Sequence, residues 1–163
     1  MKNNKTQNDE QENIVIVHNI RSAENIGSIF RTSDARGIKK IYLVGVTPLP
    51  VDKFERINPK IAKTSLGAEK SVSWEWKRNI LPLLHKLKKE GYQLIAIEQD
   101  KNSVNYKKLK LKNKNAFILG TEVEGLPKNV LSACDVIAEI PMHGKKESLN
   151  VAVSFGIVVF DTL

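Results

Sequence analysis

The sequence predicts a single α/β domain in which helices flank a mainly parallel sheet. Three observations support this prediction. Short β-branched runs alternate with helical patterns along the chain, as they do in α/β layer structures. A length of 163 residues fits one compact domain. Hydrophobic residues make up 41% of the chain and charged residues 27%, a balance that excludes a disordered or membrane-embedded protein.

The N-terminal third begins with a polar tail, followed by a strand, a helix and a strand. Residues 1–12 contain no apolar residue after the initiator methionine, so we expect them to form a disordered tail. Asn13–Val17 (NIVIV) is typical of a buried strand. A helix follows, with Ser22 as its N-cap and Gly37 at its C-terminal end. Lys40–Val46 predicts the next strand.

The middle of the chain predicts a long loop, one regular helix and three further strands. Val51–Glu69 contains proline, glycine and lysines without a sustained period, which predicts a long loop with room for one short helix. Apolar residues at helical spacing in Asn79–Glu90, followed by Gly91, predict a helix. The remaining segments are a strand, a lysine-rich connector and two more strands: Tyr92–Ile97, Val104–Lys114, Asn115–Leu119 and Val136–Ile140.

The last helix, opened by Ser148 or Asn150, has the sequence LNVAVSFGIVVF and is apolar on nearly all sides. Such a helix has to be covered all round, and a chain of this length has little material to cover it from both faces. Burial against a second copy in a homodimer is therefore the preferred interpretation, and a purely internal core helix is the alternative. The apolar stretch Leu149–Phe160 is too short to span a bilayer, so we expect no membrane segment.

The net charge of +8 is concentrated in the middle of the chain. Residues 53–114 carry sixteen basic and six acidic side chains, whereas residues 115–163 carry three basic and six acidic ones. A basic block of this kind is typical either of solvated lysines on exposed helices or of a surface that attracts a polyanion such as nucleic acid. The charge distribution alone leaves both interpretations open.

Cysteine and histidine are too few and too scattered to predict a disulfide or a metal site. Cys134 is the single cysteine, and His18, His85 and His143 lack metal-ligand spacing. The start of the chain has no signal-peptide pattern. We therefore expect a cytoplasmic protein without a structural metal.

Three clusters combine turn residues with polar groups that a simple core would not need. The first, Glu24–Arg31, places Asn25 and Arg31 near the start of a helix that follows a buried strand. Such a helix start favours anions, and a guanidinium presents a fork of donors suited to phosphate. The structural alternative is that Gly27 allows close packing and that Arg31 is a solvated surface residue.

The second cluster, Ile118–Pro127, comes directly after a predicted strand. Its two glycines invite comparison with a phosphate-binding loop, but the Gly-Lys-Ser/Thr ending and the G-x-G-x-x-G spacing are both absent. Its two carboxylates, Glu122 and Glu124, would also repel phosphate. The cluster therefore disfavours a nucleoside triphosphate or NAD site and favours a ligand with a cationic centre. A tight strand-to-helix turn is the structural alternative.

The third cluster, Ile140–Asn150, joins a predicted strand to the apolar last helix. Ser148 could serve only as an N-cap, and Asn150 could serve only as a partner for a neighbouring backbone group. Each of the three clusters is a weak signal when taken alone.

Together, in this order and spacing, the clusters resemble the SpoU (TrmH-like) family of RNA ribose methyltransferases in the SPOUT class. The matching motifs are Asn25–Thr32 (NIGSIFRT), Leu119–Leu126 (LGTEVEGL) and Ile140–Ser154 (IPMHGKKESLNVAVS). The resemblance covers nearly the whole chain, so residues 13–163 are predicted to form one SPOUT methyltransferase domain. In the short tail we expect no separate RNA-binding extension of the kind that larger members carry.

The resemblance implies a deep C-terminal trefoil knot, although knotted chains are rare. It also implies a homodimer, S-adenosylmethionine as cofactor, and methylation of a ribose 2′-hydroxyl in tRNA or rRNA, with no DNA or membrane partner. Carried onto this chain, the residues around the cofactor would be Leu119, Gly120, Ile140, Met142 and Leu149. The catalytic and RNA-facing set would be Asn25, Arg31, Glu122, Ser148 and Asn150.

Two roles stay open for Arg31 within that set. It would either activate the hydroxyl, or orient the adjacent phosphate and stabilise developing alkoxide charge. Glu122 would hold Arg31 or Asn25 in place, and Ser148 and Asn150 would pin the loop that closes over the cofactor. A non-catalytic RNA-binding or assembly protein on the same fold is the alternative function. A nucleotide-binding α/β enzyme is disfavoured, because the sequence lacks the phosphate-binding loop that such an enzyme needs.

Overall fold

A seven-stranded parallel sheet forms the centre of the protein in a computed structural model that describes residues 11–163. The strand order is β3-β2-β1-β6-β4-β7-β5, and every strand pair of the sheet is parallel. The strands are β1 (Glu12–His18), β2 (Lys40–Val44), β3 (Ser73–Lys77), β4 (Gln93–Ile97), β5 (Val104–Asn105), β6 (Lys114–Leu119) and β7 (Val136–Glu139). The predicted α/β fold on a parallel sheet is confirmed.

Helices cover both faces of this sheet. One face carries α1 (Ala23–Arg36), α2 (Pro59–Ser65), α3 (Ala68–Ser71) and α6 (Val151–Thr162), and the other carries α4 (Ile80–Lys89) and α5 (Lys128–Ala133). Successive side chains of a strand point to opposite faces of the sheet, so Phe117 packs on the face covered by α1 and α6, and its neighbour Ile118 packs on the face covered by α4 and α5. The central strands are therefore buried on both sides, as parallel strands usually are.

The longer helices begin and end close to the predicted residues. The backbone N–H of Asn25 donates to Ser22 Oγ at 3.2 Å, and Gly37 ends α1 in the left-handed region with φ of 72°. The side chain of Asn150 accepts from the first backbone N–H groups of α6, so Asn150 is the cap and Ser148 lies in the loop before it. None of the helices within residues 11–163 is long and apolar enough to cross a membrane.

Residues 51–69 form a loop with one short helix, α2, as predicted, and α3 begins at their C-terminal end. Asn58 caps α2 and Pro59 occupies its first turn, where a proline costs no hydrogen bond. Gly67, with φ of 93°, separates α2 from α3. The sequence predicted none of α3, β3, β5 and α5.

The predicted polar tail, residues 1–12, extends too far. Glu12 is the first residue of β1 and pairs with Lys114 of β6. Its carboxylate also accepts hydrogen bonds from Lys39 Nζ at 2.7 Å and from the hydroxyl of Tyr92. Residues 1–10 of the predicted tail lie outside the described residues.

Gly27 allows α1 and α2 to cross at close range, as the structural alternative for the first cluster expected. A Cβ atom at position 27 would lie 2.5 Å from the carbonyl oxygen of Ile61 and would collide with Thr64 Oγ1. We therefore expect Gly27→Ala to lower the free energy of unfolding by about 1–3 kcal/mol, measured by urea denaturation. Gly144→Ala is the matched control, since an added Cβ there meets no atom within 4 Å. A Gly27→Ala protein as stable as this control would contradict the close crossing.

Candidate active site

A cavity at the carboxyl edge of the sheet gathers the residues predicted to surround a cofactor. The adjacent strands β6, β4 and β7 end at this edge, and the loops that follow them form its walls. All five predicted residues line this one cavity: Leu119, Gly120, Ile140, Met142 and Leu149. Of the predicted catalytic set, Glu122 and Ser148 line it as well.

The lining combines apolar side chains with carboxylates. The apolar part includes Ile97, Ala138 and Val151 beside the predicted residues, and the acidic part consists of Glu98, Glu122 and Glu139. Lysine and arginine are absent from this lining within residues 11–163. Such a cavity favours a ligand with an apolar or flat portion and a positive centre.

The loop after β6 is held in one conformation by its own backbone. A Cβ atom on Gly120 would lie 2.7 Å from the carbonyl carbon of Gly125, so position 120 has no room for a side chain. The N–H of Gly125 donates to the carbonyl of Thr121 at 3.0 Å, and the N–H of Glu124 donates to Thr121 Oγ1 at 3.0 Å. Gly125 has φ of 66°, which only glycine adopts freely. The loop therefore presents Glu122 at a defined position.

Two residues directly after β4 brace the neighbouring loops. Glu98 accepts a hydrogen bond from the N–H of Leu126 at 3.2 Å, and Gln99 donates to the carbonyl of Glu147 at 2.7 Å. Both residues line the cavity, and both are absent from the predicted site. Their position immediately after the predicted strand Tyr92–Ile97 was the available signal, because parallel sheets bind ligands at this edge.

A hydrogen-bond chain joins the three sequence clusters. Asn150 Nδ2 donates to Asn25 Oδ1 at 3.0 Å, and Asn25 Nδ2 donates to Glu122 Oε1. Asn150 Oδ1 meanwhile accepts from the N–H groups of Ala152 and Val153 at the start of α6. Asn25 thus connects the first turns of α1 and α6 to the loop after β6.

Arg31 lies apart from this chain. Its side chain is exposed on α1, is absent from the cavity lining, and forms no ion pair with any residue from 11 to 163. Of the two partners predicted for Glu122, the structure shows Asn25 and not Arg31. Ser148 lines the cavity, while the bond that pins its loop comes from Gln99 to the neighbouring Glu147.

Within residues 11–163, neither the single cysteine nor a metal-binding cluster contributes to the lining of this cavity. Burial raises the pKa of the Cys134 thiol to about 12, so this thiol stays protonated at neutral pH. Across residues 11–163 the structure contains no group of three histidine, cysteine, aspartate or glutamate side chains arranged to hold a metal ion.

A family model described as the SpoU rRNA Methylase family matches residues 12–160. The chain belongs to this family. A 23S rRNA (guanosine-2'-O-)-methyltransferase from Xylella fastidiosa is 31% identical over 150 residues, which cover 92% of this chain and 57% of that relative. A tRNA (guanosine(18)-2'-O)-methyltransferase from Aquifex aeolicus is 30% identical over 148 residues, which cover 91% and 67%. The chain spans less than two thirds of the length of the first such relatives.

Solved structures of similar proteins share the fold of this SpoU family chain. The AdoMet-bound rRNA methyltransferase from Sinorhizobium meliloti superimposes with a TM-score of 0.82 at 26% identity, over 93% of this chain and 56% of that one. The TrmH/SpoU tRNA modifying enzyme from A. aeolicus superimposes with a TM-score of 0.80 at 28% identity, over 93% and 73%. The SPOUT fold predicted from the motifs is therefore confirmed, and the trefoil knot stays a prediction.

Proposed function

We propose that the protein is an S-adenosylmethionine-dependent methyltransferase that acts on the ribose 2′-hydroxyl of a nucleotide in tRNA or rRNA. The observation that carries this proposal is that all five predicted cofactor residues line one cavity, in whose wall Glu122 is hydrogen-bonded to Asn25 of α1. The relatives named as RNA 2′-O-methyltransferases, and the similar structure with bound AdoMet, support it.

The cavity suits S-adenosylmethionine in both shape and charge. Ile140, Met142 and Leu149 offer apolar contacts to a flat adenine ring, and Gly120 lines the same cavity with its backbone. Glu98, Glu122 and Glu139 provide negative charge opposite a sulfonium and an ammonium group. When bound, S-adenosylmethionine supplies an electrophilic methyl group.

The residues of the chain then have to position a poor nucleophile, the ribose hydroxyl. Glu122 lines the cavity, accepts a hydrogen bond from Asn25 of α1 and can orient the incoming ribose. Arg31 orients the adjacent phosphate and stabilises alkoxide charge, or activates the hydroxyl. Asn150 and Gln99 hold the C-terminal part of the loop on either side of Ser148, through contacts to Asn25 and to the carbonyl of Glu147.

The basic segment 53–114 is the proposed RNA surface, and the fold divides it between the two edges of the sheet. Lys53 and Arg56 both lie over the ring of Phe54, which is 65% exposed in the turn before α2. The lysines before β6, including Lys110 and Lys112, lie at the opposite, amino edge. We expect RNA binding to weaken steeply with salt in a filter-binding titration, and an affinity that does not change with salt would contradict this surface.

A homodimer through α6 is the proposed assembly. Val153 and Phe160 are 50% and 57% exposed, and they lie about two turns apart on one side of the helix. Arg36 of α1 donates to the carbonyl of Val159 and lies over the ring of Phe160, so the face of α1 that carries Arg36 adjoins this apolar stripe. A second copy seated here would cover the stripe and contact that face. Analytical ultracentrifugation tests the proposal, and a monomer at micromolar concentration would contradict it.

The function itself is tested by mapping 2′-O-methylated positions in RNA from cells with and without the gene. We expect one or more positions to lose the modification without the gene, and to regain it when purified protein and S-adenosylmethionine are added. Calorimetry with S-adenosylmethionine separates the alternative. RNA binding combined with no measurable cofactor binding would favour a non-catalytic RNA-binding or assembly protein.

A further inference from the structure

A second cleft opens on the other side of the loop that carries Glu122. Its walls come from the loops after β1, β2 and β6, and its lining includes Asn19, Arg21, Ser22, Val46, Val123 and Glu124. Thr121 and Glu122 line both this cleft and the cavity proposed for the cofactor. A molecule in the second cleft therefore lies next to the cavity proposed for the cofactor.

Two valines give this cleft an apolar surface. Val123 is 96% exposed and Val46 is 62% exposed, although each is held on an ordered backbone. The N–H of Val46 donates to Asn19 Oδ1 at 3.0 Å, and Val123 lies in the turn closed by the bond from Gly125 to Thr121. Single exposed apolar residues are common, but two in one concave site next to catalytic groups favour contact with an apolar surface of a ligand.

Arg21 gives the cleft a planar donor group. Its side chain is exposed and forms no ion pair with any described residue, although Glu122 and Glu124 line the same cleft. A guanidinium both stacks on flat rings and donates to the acceptor edge of a base. The two glutamates repel phosphate, which excludes the RNA backbone as the main occupant. The flat, uncharged part of a nucleotide fits this combination.

We propose that this cleft binds the nucleobase of the nucleotide whose ribose is methylated, with Arg21 and Val123 contacting the base. The proposal rests on the proposed function, because the cleft is identified as a substrate site by the wall it shares with the cofactor cavity. It adds a base-contacting site to the ribose and cofactor contacts described above.

An abasic substrate tests this proposal directly. The RNA with the mapped target nucleotide is compared with the same RNA that has an abasic ribose at that position, which keeps the 2′-hydroxyl. Arg21→Ala and Val123→Ser are each expected to lower kcat/KM about tenfold on the intact RNA, the effect of losing one base contact. On the abasic RNA we expect no effect of Val123→Ser, and for Arg21→Ala only the smaller loss that follows from removing one positive charge. Equal losses on both RNAs would overturn the proposal.

Arg78→Ala is the matched control. Arg78 is exposed, follows β3 at the same edge of the sheet, and lies outside the cleft lining. Its replacement by alanine removes the same charge as Arg21→Ala without touching the cleft. We expect this variant to change kcat/KM by the same factor on both RNAs. Unchanged S-adenosylmethionine affinity in all three variants, measured by calorimetry, shows that the fold and the cofactor cavity are intact.

A binding experiment separates this proposal from the proposed function. Amide chemical shifts are followed by NMR during titration with a short single-stranded RNA containing all four bases, and then with an abasic ribose-phosphate chain of the same length. We expect the signals of Arg21, Val46 and Val123 to shift with the first probe alone. This readout needs no methyl transfer, so it supports or overturns base binding even if no RNA is methylated. Shifts of equal size with both probes would overturn it.

Discussion

Arg31→Ala is expected to lower the rate of the proposed methyl transfer by about a hundredfold or more, the usual cost of removing a group that stabilises developing negative charge. The affinity for S-adenosylmethionine stays unchanged, because Arg31 does not line the cofactor cavity. The stability of the fold also stays unchanged, because the side chain is exposed and forms no ion pair among residues 11–163. Single-turnover kinetics, calorimetry and urea denaturation measure the three quantities separately.

Arg31→Lys separates the two roles left open for this residue. Lysine keeps the positive charge and loses the planar fork of donors, so a role that needs bidentate contact with phosphate predicts a loss nearly as large as that of alanine. A role that needs only positive charge near the alkoxide predicts a much smaller loss. Near-normal turnover of the lysine variant would therefore exclude any role for a planar bidentate guanidinium.

Arg31→Ala needs a control variant that removes one guanidinium at another exposed position. Arg78→Ala removes an exposed guanidinium at the same edge of the sheet, outside the cavity and the second cleft. Its effect measures the general electrostatic contribution to RNA binding, which appears in KM and weakens with salt. If Arg31→Ala affects only KM, and to the same degree as this control, Arg31 is a surface residue rather than a catalytic one.

The sequence predicted the elements that have strong local patterns and did not predict those that depend on their neighbours. The first strand, α1 and α4 follow from β-branched runs, apolar periodicity and caps, and each appears within a few residues of its predicted bounds. β3 (SWEWK) alternates tryptophan with charged or polar residues and pairs only with β2, as an edge strand. α5 has only six residues and buries one of them, Val130, which is too little for a helical period.

The same distinction holds for the site. The motifs contain residues that the structure gathers around one cavity, because parallel strands bring their carboxyl ends, and hence the loops after β6 and β7, to one edge. The contact between Asn25 and Glu122 spans 97 positions along the chain, and only the fold selects Asn25 over Arg31 as its partner. Glu98 and Gln99 belong to no motif. Their position directly after a predicted strand was a signal, but their contacts with backbone groups of neighbouring loops appear only in the structure.

Asn25→Asp is expected to have the second large effect, because Asn25 is both donor and acceptor in the chain that joins the three clusters. An aspartate still accepts from Asn150, but it places a second carboxylate against Glu122 in place of the amide donor. Repulsion then displaces the loop that presents Glu122. We expect methyl transfer to fall about a hundredfold, since a misplacement of about 1 Å at a reacting centre can cost that much. Steady-state kinetics on the mapped RNA measures the loss.

Combining Asn25→Asp with Glu122→Gln tests whether this direct contact is the cause. The new amide can donate to the new carboxylate, so the hydrogen bond is restored with its direction reversed, and Asn150 keeps its acceptor. The urea midpoint of the double variant should therefore return toward that of the unchanged protein, and a double-mutant cycle gives the coupling between the two residues. Independent, additive losses in the two variants would contradict a direct contact.

The affinity of the same double variant for S-adenosylmethionine shows whether Glu122 contributes through its position or through its charge. Glu122 lines the cofactor cavity, so its carboxylate attracts a positively charged ligand, whereas a glutamine at that position does not. Stability that recovers while S-adenosylmethionine affinity stays low means that Asn25 sets the position of Glu122 and that Glu122 supplies charge to the cofactor. Recovery of both means that Glu122 acts only by holding Asn25, and the carboxylates of Glu98 and Glu139 then supply the negative charge of the cavity.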